Sequence, residues 1–292
     1  MNTNNLAVDK SYLKHINNER NSRISNSLPL SFLNPDCIEA WRHDRMRNII
    51  LPLIRFYQKT KWITLGDGCF GSDAYYLQNK GLDVLATSIS DETISVACEL
   101  GYISKYKQMN AENIIEEDNS FDFVFCKEAY HHFPRPFIAL YEMLRVASKG
   151  VVLIEPQESK ARIFDYLKKV IKTVLRGDSN LNFEVTGNFI YRINIDELSK
   201  VMTAMNFKYI AYKRFNDFYI HSLSRKSLKR LSKAKIITHL GIGIQNLLCT
   251  LRLMDYGLAV VVLFKSDVND EFLKRFKKEA FRIRKLPVNP YL

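Results

Sequence analysis

The sequence predicts an α/β protein with an open, mostly parallel sheet flanked by helices. Three observations carry this. The stretch Trp62–Gly71 reads WITLGDGCFG, an apolar run that stops at a glycine-rich turn and runs into a helical-looking segment, Ser72 to Lys80. Further short apolar runs, Val84–Ser88, Phe121–Cys126 and Val151–Ile154, follow at intervals that leave room for a helix between each pair. That alternation gives right-handed βαβ crossovers and a parallel sheet. The composition, 47% hydrophobic and 25% charged over 292 residues, is that of an ordinary globular chain of one large domain or two small ones.

The elements follow in chain order. Residues 1–35 are polar and Asn/Ser-rich and read as a loosely ordered arm that folds over the site. Asp36 to Tyr57 has apolar positions at helical spacing, and Pro52 should kink or divide that helix. In the turn, glycine lets a ligand approach the backbone and costs nothing at positive φ; the next helix points its free N–H groups at whatever lies above. The helix after the turn ends at Gly81, a C-terminal signal. Ser90 is placed to cap a helix over Asp91 to Leu100, and a short strand follows between Tyr102 and Met109. After the Phe121–Cys126 strand comes a polar, aromatic cluster, Lys127 to Phe133, then a helix over Pro136 to Ala147 and a buried strand ending at Glu155-Pro156.

In the second half, Ile163, Tyr166, Leu167, Val170, Ile171 and Val174 share a helix face. Asn194 and Glu197 resemble a capping box opening a helix over Ile195–Met205. Phe207–Phe215 and Leu258–Phe264 are strands expected to close the sheet as an antiparallel pair. Between them lie the basic run Arg225–Lys235 and an amphipathic stretch, Ile236–Met254. The expected organisation is an arm and helix over 1–57, a core domain over 58–266 with helical insertions near 157–190 and 222–256, and a basic tail over 267–292. No internal repeat is evident.

Composition also excludes. The apolar region Ile236–Phe264 is interrupted by His239, Arg252 and Asp255, so a spanning helix is not expected, and the N-terminus lacks a signal-peptide core. The five cysteines are scattered with no Cys-x-x-Cys, which points to reduced thiols in the cytoplasm, with neither a disulfide framework nor a metal site. A net charge of +12 admits an acidic partner without choosing one. The basic run beside the apolar stretch Ile236–Met254 reads as a solvated helix face or as an anchor to an anionic inner membrane.

From Trp62 to Pro156 the chain resembles the class I S-adenosylmethionine-dependent methyltransferases, closest to small-molecule enzymes of bacterial surface-glycan biosynthesis. Four features carry the resemblance: the glycine turn; Asn110-Ala111-Glu112, where the family usually has Asp-Ala-Glu; Ser120–Val124 running into Tyr130-His131-His132-Phe133; and Leu144-Arg145-Val146 ahead of Gly150 and the strand ending in Glu155-Pro156. The resemblance implies a Rossmann-like sheet of seven strands, five to six of them parallel, with S-adenosylmethionine over their carboxyl ends. It places Gly66, Asp67, Gly68 and Gly71 under the methionine and ribose, Ser88 at the ribose, Asn110 and Ala111 at the adenine edge, and backbone groups of Cys126 and Lys127 at the methionine. It faces Glu128, Tyr130, His131 and His132 toward the methyl group and the acceptor. The chain departs from the family in having Ser88 where an acid commonly ends the second strand, and Thr64 where the first strand usually carries an acid.

Methyl transfer needs a base only when the acceptor must lose a proton. His131 and His132 are equal candidates, because imidazole titrates near neutrality. Glu128 is a candidate to orient a histidine, to bind substrate, or to pair with Lys127 or Arg135. Asp67 is expected to serve a ligand or the turn. Trp41, Asn188 and Tyr191 are candidates to line a substrate pocket. The expectation is a cytoplasmic methyltransferase, with peripheral contact at the inner membrane as the alternative, acting on a hydroxyl or amine of a sugar or nucleotide-sugar in polysaccharide biosynthesis, with no nucleic-acid partner. Three rival readings remain. One is a methyltransferase-like binding protein without activity. Another is an RNA methyltransferase suggested by charge. The third is a nicotinamide-dependent dehydrogenase suggested by Gly66, Gly68 and Gly71.

Overall fold

The structure, a computed structural model, describes residues 10–17, 20, 33–159, 182–183, 188–229 and 232–291. Residues 10–17 are helical. The long helix expected over Asp36 to Tyr57 is divided, as Pro52 requires. Helix α1 (Ile38–Arg47) and α2 (Leu51–Phe56) are joined by a 3-10 turn at Asn48–Ile50, with the proline in the first turn of α2, where its missing N–H costs nothing.

Strand β1 (Lys61–Leu65) then enters the sheet and leads through the glycine turn into α3 (Ser72–Gln78). The alternation continues with β2 (Asp83–Ser88), α4 (Ile94–Glu99), β3 (Tyr106–Gln108), β4 (Phe121–Lys127), a 3-10 turn at Tyr130–His132, α5 (Pro136–Val146) and β5 (Ala147–Pro156). Helix α4 starts later than expected, because Ser90 accepts the Glu92 N–H at 3.3 Å and so holds a turn ahead of the helix. After α6 (Ile195–Ala204) come β6 (Tyr209–Phe215), α7 (His221–Ser224), α8 (Lys233–Thr250), β7 (Leu258–Phe264), α9 (Asp270–Lys278) and β8 (Arg282–Lys285). The amide of Asp196 bonds the Asn194 side chain at 2.8 Å, so Asn194 caps α6, while the Glu197 carboxylate accepts from the Tyr191 hydroxyl. The helix expected around Ile163–Val174 lies outside the described residues.

The sheet has eight strands in the order β3-β2-β1-β4-β5-β7-β6-β8, one more than the seven expected. Strands β1 to β5 are parallel, β7 is antiparallel to β5 and β6, and β8 is antiparallel to β6. The extra strand comes from the stretch read as a basic tail. Phe272, Leu273 and Phe276 of α9 and the following Phe281 are buried and join the core on one face of the sheet. That face also holds Trp62, Phe123, Phe125, Val152 and Val260; the neighbouring strand residues Ile63, Val124, Val151 and Val261 point to the other face, under α5 and α6. Central strands buried on both faces read as continuous apolar runs, which is why β4, β5 and β7 stand out in the sequence. Chain order reverses between β1 and β4, so the crevice for a ligand opens at the carboxyl ends of these two strands.

Candidate active site

The turn after β1 is held from beneath. The amide of Asp67 donates to the Thr87 carbonyl at 2.9 Å, and the Thr93 hydroxyl donates to the Gly68 carbonyl. The Asp67 carboxylate is buried and turned into the start of α3. It accepts the N–H groups of Asp73 at 3.1 Å and Ala74 at 2.8 Å, and the Thr64 hydroxyl at 2.9 Å. Burial and the nearby Asp73 carboxylate push Asp67 above the usual carboxylate range, against the pull of those three donors. Asp67 therefore builds the turn and does not reach the pocket. Thr64 acts through it. Phe70 and Gly71 both take left-handed backbone, at φ 58° and 57°, which lets the turn close directly onto α3.

Above the turn lies a cavity of about 100 Å³. Gly66, Ser88, Ile89, Met109, Asn110, Ala111, Ala129, His132 and Phe133 line it from the sheet edge, and Tyr12 and His15 line it from the helix over residues 10–17. Gly66 sits at φ 72°, and a Cβ there would come within 2.4 Å of the Ala129 Cβ. Of the residues expected at the cofactor, Gly66, Ser88, Asn110 and Ala111 line this cavity; Asp67, Gly68, Gly71, Cys126 and Lys127 do not. Asn110 accepts the Glu112 N–H at 2.9 Å, which fixes its loop, and Glu112 in turn takes the Arg135 N–H at 2.7 Å and guanidinium at 2.6 Å. The arm is tied down through Asn188, which bonds the Ser11 hydroxyl, His15 Nε2 at 2.6 Å and the His132 carbonyl at 2.6 Å.

The two histidines are separated by what holds them. His132 lines the cavity, its ring 3.9 Å from that of His131. His131 Nδ1 lies 2.6 Å from Glu155, a fully buried carboxylate whose other oxygen accepts the N–H groups of Ala129 and Tyr130 at 2.9 Å each. Glu155 fixes the His131 tautomer with its proton on Nδ1, leaving Nε2 as the basic nitrogen. The carboxylate that orients His131 is thus Glu155 at the end of β5, not Glu128.

Glu128 takes a left-handed φ of 50° and points the other way, 3.4 Å from His43 Nδ1 and 3.7 Å from Lys127 Nζ. Its expected partner Arg135 is engaged by Glu112 instead. His43, buried on α1, also meets Lys127 Nζ at 2.9 Å and Glu39 at 3.2 Å. Burial first, and then the Lys127 ammonium, hold His43 well below the ordinary imidazole range. Lys127 reaches Asp73 at 3.5 Å, and Arg47 bonds Asp73 at 2.7 Å and the Ser72 hydroxyl at 2.8 Å. Through this network α1 is bolted to the start of α3.

Three candidate substrate residues are engaged by packing outside this cavity. Tyr130 is fully buried, its ring against Phe133 and Tyr191, and faces no open space for a substrate. Trp41 stacks on His239 of α8 at 4.7 Å, away from the cavity. Tyr191 packs on Phe137 and Tyr130 and gives its hydroxyl to Glu197. The Cys126 thiol is fully buried, and burial with Glu155 nearby raises it well above its ordinary range, so it is a packing group. Among the described residues no cluster of three His, Cys, Asp or Glu could hold a metal ion.

Residues 65–154 match the protein-family model of a methyltransferase domain. No protein of curated function matches the chain in sequence. Among solved structures, a SAM-dependent methyltransferase from Archaeoglobus fulgidus superposes with a TM-score of 0.50 at 14% identity, covering 77% of this chain and 94% of that one. A magnesium protoporphyrin IX methyltransferase from Synechocystis, solved with bound SAH, gives 0.48 at 13% identity over 78% of this chain and 86% of that one. A SAM-dependent methyltransferase from Thermotoga maritima, described as a possible histamine N-methyltransferase, gives 0.47 at 17% identity over 84% and 98%. At such identity the first of these supports the fold.

Proposed function

We infer that residues 65–154 form a class I methyltransferase domain using S-adenosylmethionine, and we propose that it methylates a hydroxyl or amine of a sugar or nucleotide-sugar in surface polysaccharide biosynthesis. The observation that carries a proton-bearing acceptor is the His131–Glu155 pair, whose imidazole lies 3.9 Å from the ring of His132 in the cavity wall. The residues fit the cofactor: the cavity is apolar at Met109, Ala111 and Phe133, with Ser88 and Asn110 as polar groups on the sheet side and Tyr12, His15 and His132 completing the wall. Ser88 would take the ribose, Asn110 and Ala111 the adenine, and Gly66 the passage toward the methionine.

The bound cofactor supplies a methyl group on a sulfonium, which leaves a neutral thioether and asks nothing of the protein at that end. The chain's task is alignment and proton removal. His131 Nε2 would take the proton that the acceptor oxygen or nitrogen gives up on receiving the methyl group. Glu155 stabilises the imidazolium and keeps the ring in place. His132, beside the cavity, is the alternative base. A methyl-transfer assay over nucleotide-sugars and glycan precursors tests this reading. His131→Ala should lower kcat by about 10²–10⁴-fold while leaving S-adenosylhomocysteine affinity unchanged. An unchanged kcat would remove His131 as the base.

A further inference from the structure

Helix α8 is built inside out. Its buried residues are small or polar: Ala234, Thr238, Gly241 and Cys249. Gly241 is pressed so closely to Phe218 that a Cβ would come within 2.5 Å of the ring. Its large aliphatic residues Ile236, Ile237, Leu240, Ile244, Leu247 and Leu251 are instead 43–60% exposed. At 100° per residue they form one continuous outward stripe about 22 Å long. A stripe of this kind on the surface marks something that covers it.

Charge identifies the cover. From Phe218 to Met254 there is no Asp or Glu, while seven Lys and Arg occur. Arg225, Lys226, Lys229, Lys233 and Arg252 are exposed. Lys233 and Lys235 stand in the first turn of α8, where cations oppose the helix dipole, so their placement does not serve the helix itself. A second copy of the chain would bring like charges face to face across a two-fold interface. An anionic headgroup layer takes both features at once, the aliphatic stripe into the acyl boundary and the cations at the phosphates.

Position adds the consequence. Helix α8 lies between the end of β6 and the start of β7, and Phe215 and Pro156 both pair with Leu258. This is the carboxyl end of the parallel strands, where the cavity opens. Trp41 stacked on His239 ties α8 to α1, whose His43 contacts Lys127 and Glu128 at the end of β4.

We propose that α8 is an interfacial helix that docks the active-site end of this protein onto an anionic lipid surface. The test is flotation of the full chain with phosphatidylglycerol–phosphatidylcholine vesicles, against phosphatidylcholine alone, at low and high salt. Wild type should float with the anionic vesicles and be released by salt. The combined Leu240→Glu, Ile244→Glu and Leu247→Glu variant should lose at least about tenfold in partitioning. The Lys226→Gln, Lys229→Gln and Lys233→Gln variant should lose the preference for anionic lipid; it carries the test alone if the glutamate variant loses helix by circular dichroism. Wild type that stays unbound, or variants that float as well as wild type, would overturn the proposal. So would a wild-type dimer in sedimentation that the glutamate variant abolishes, because the stripe would then belong to a second copy. S-adenosylhomocysteine titration should be the same in all three proteins, so failure of docking leaves the methyltransferase reading intact.

Discussion

At the scale of single residues, the proposed proton removal rests on which carboxylate meets which histidine. His131 and His132 are adjacent in sequence and equivalent by type, and only the fold distinguishes them, by bringing Glu155 from β5 to His131 Nδ1. The pair Glu155-Pro156 stands out in the sequence as a strand end, but its role depends on register between β4 and β5, which no local pattern encodes. Glu155→Gln keeps the shape and the two backbone bonds' geometry but removes the charge that steadies the imidazolium. It should lower kcat about tenfold or more with cofactor affinity retained, in the same assay as His131→Ala. His43 was not legible as a site residue, because a histidine in an amphipathic helix is an ordinary core residue; Glu39 four positions earlier was its one signal. Its lowered basicity has a defined sign. The unfolded chain takes up a proton near pH 6.5, the folded chain does not, and stability drains away as pH falls through that range. Imidazole ¹⁵N spectra should show His43 still neutral at about pH 5.5, one unit below the reference value. A protonated ring there would contradict the buried Lys127–His43 contact.

At the scale of elements, strand, turn and helix from Trp62 to Pro156 were legible because the apolar runs are long enough to be buried on both faces and are bounded by glycine, proline or polar residues such as Asn119-Ser120 and Lys127-Glu128. Helix α9 and β8 were not. Lys274, Lys277, Lys278, Arg282 and Arg284 dominate that stretch and give it the look of a solvated tail, while its apolar signal is thinly spread over Phe272, Leu273, Phe276, Phe281 and Ile283. Phe276 stacks on Phe281 at 4.4 Å and is fully buried. Phe276→Ala should cost about 3–5 kcal/mol in a urea unfolding series; a change under about 1 kcal/mol would return the segment to a tail. The arm was legible only as a polar stretch that folds over the site. Residues 10–17 do cover it, and the remaining cavity of about 100 Å³ is smaller than the roughly 300–1,000 Å³ of ordinary ligand sites. The helix must therefore yield for a nucleoside to enter. Tyr12→Ala should change the rate of S-adenosylhomocysteine release by about tenfold in stopped flow, equivalent to about 1.4 kcal/mol. An unaltered rate would place the cofactor away from the arm.

At the scale of the whole molecule, three features converge on the carboxyl edge of the sheet: the cavity, the His131–Glu155 pair and α8. A net charge of +12 leaves the partner open, but the distribution does not, since seven of the cations fall in one acid-free stretch beside an exposed aliphatic stripe. Among the described residues no helix is long and apolar enough to cross a membrane. The central claim is that a nucleoside cofactor binds over the turn after β1, and calorimetric titration with S-adenosylhomocysteine on wild type and Ala111→Phe tests it most directly. Wild type should bind with one site per chain in the micromolar range, and Ala111→Phe, which fills the end of the cavity proposed for the adenine, should weaken binding at least about tenfold without loss of fold. No binding by wild type, or equal binding by the variant, would contradict the account.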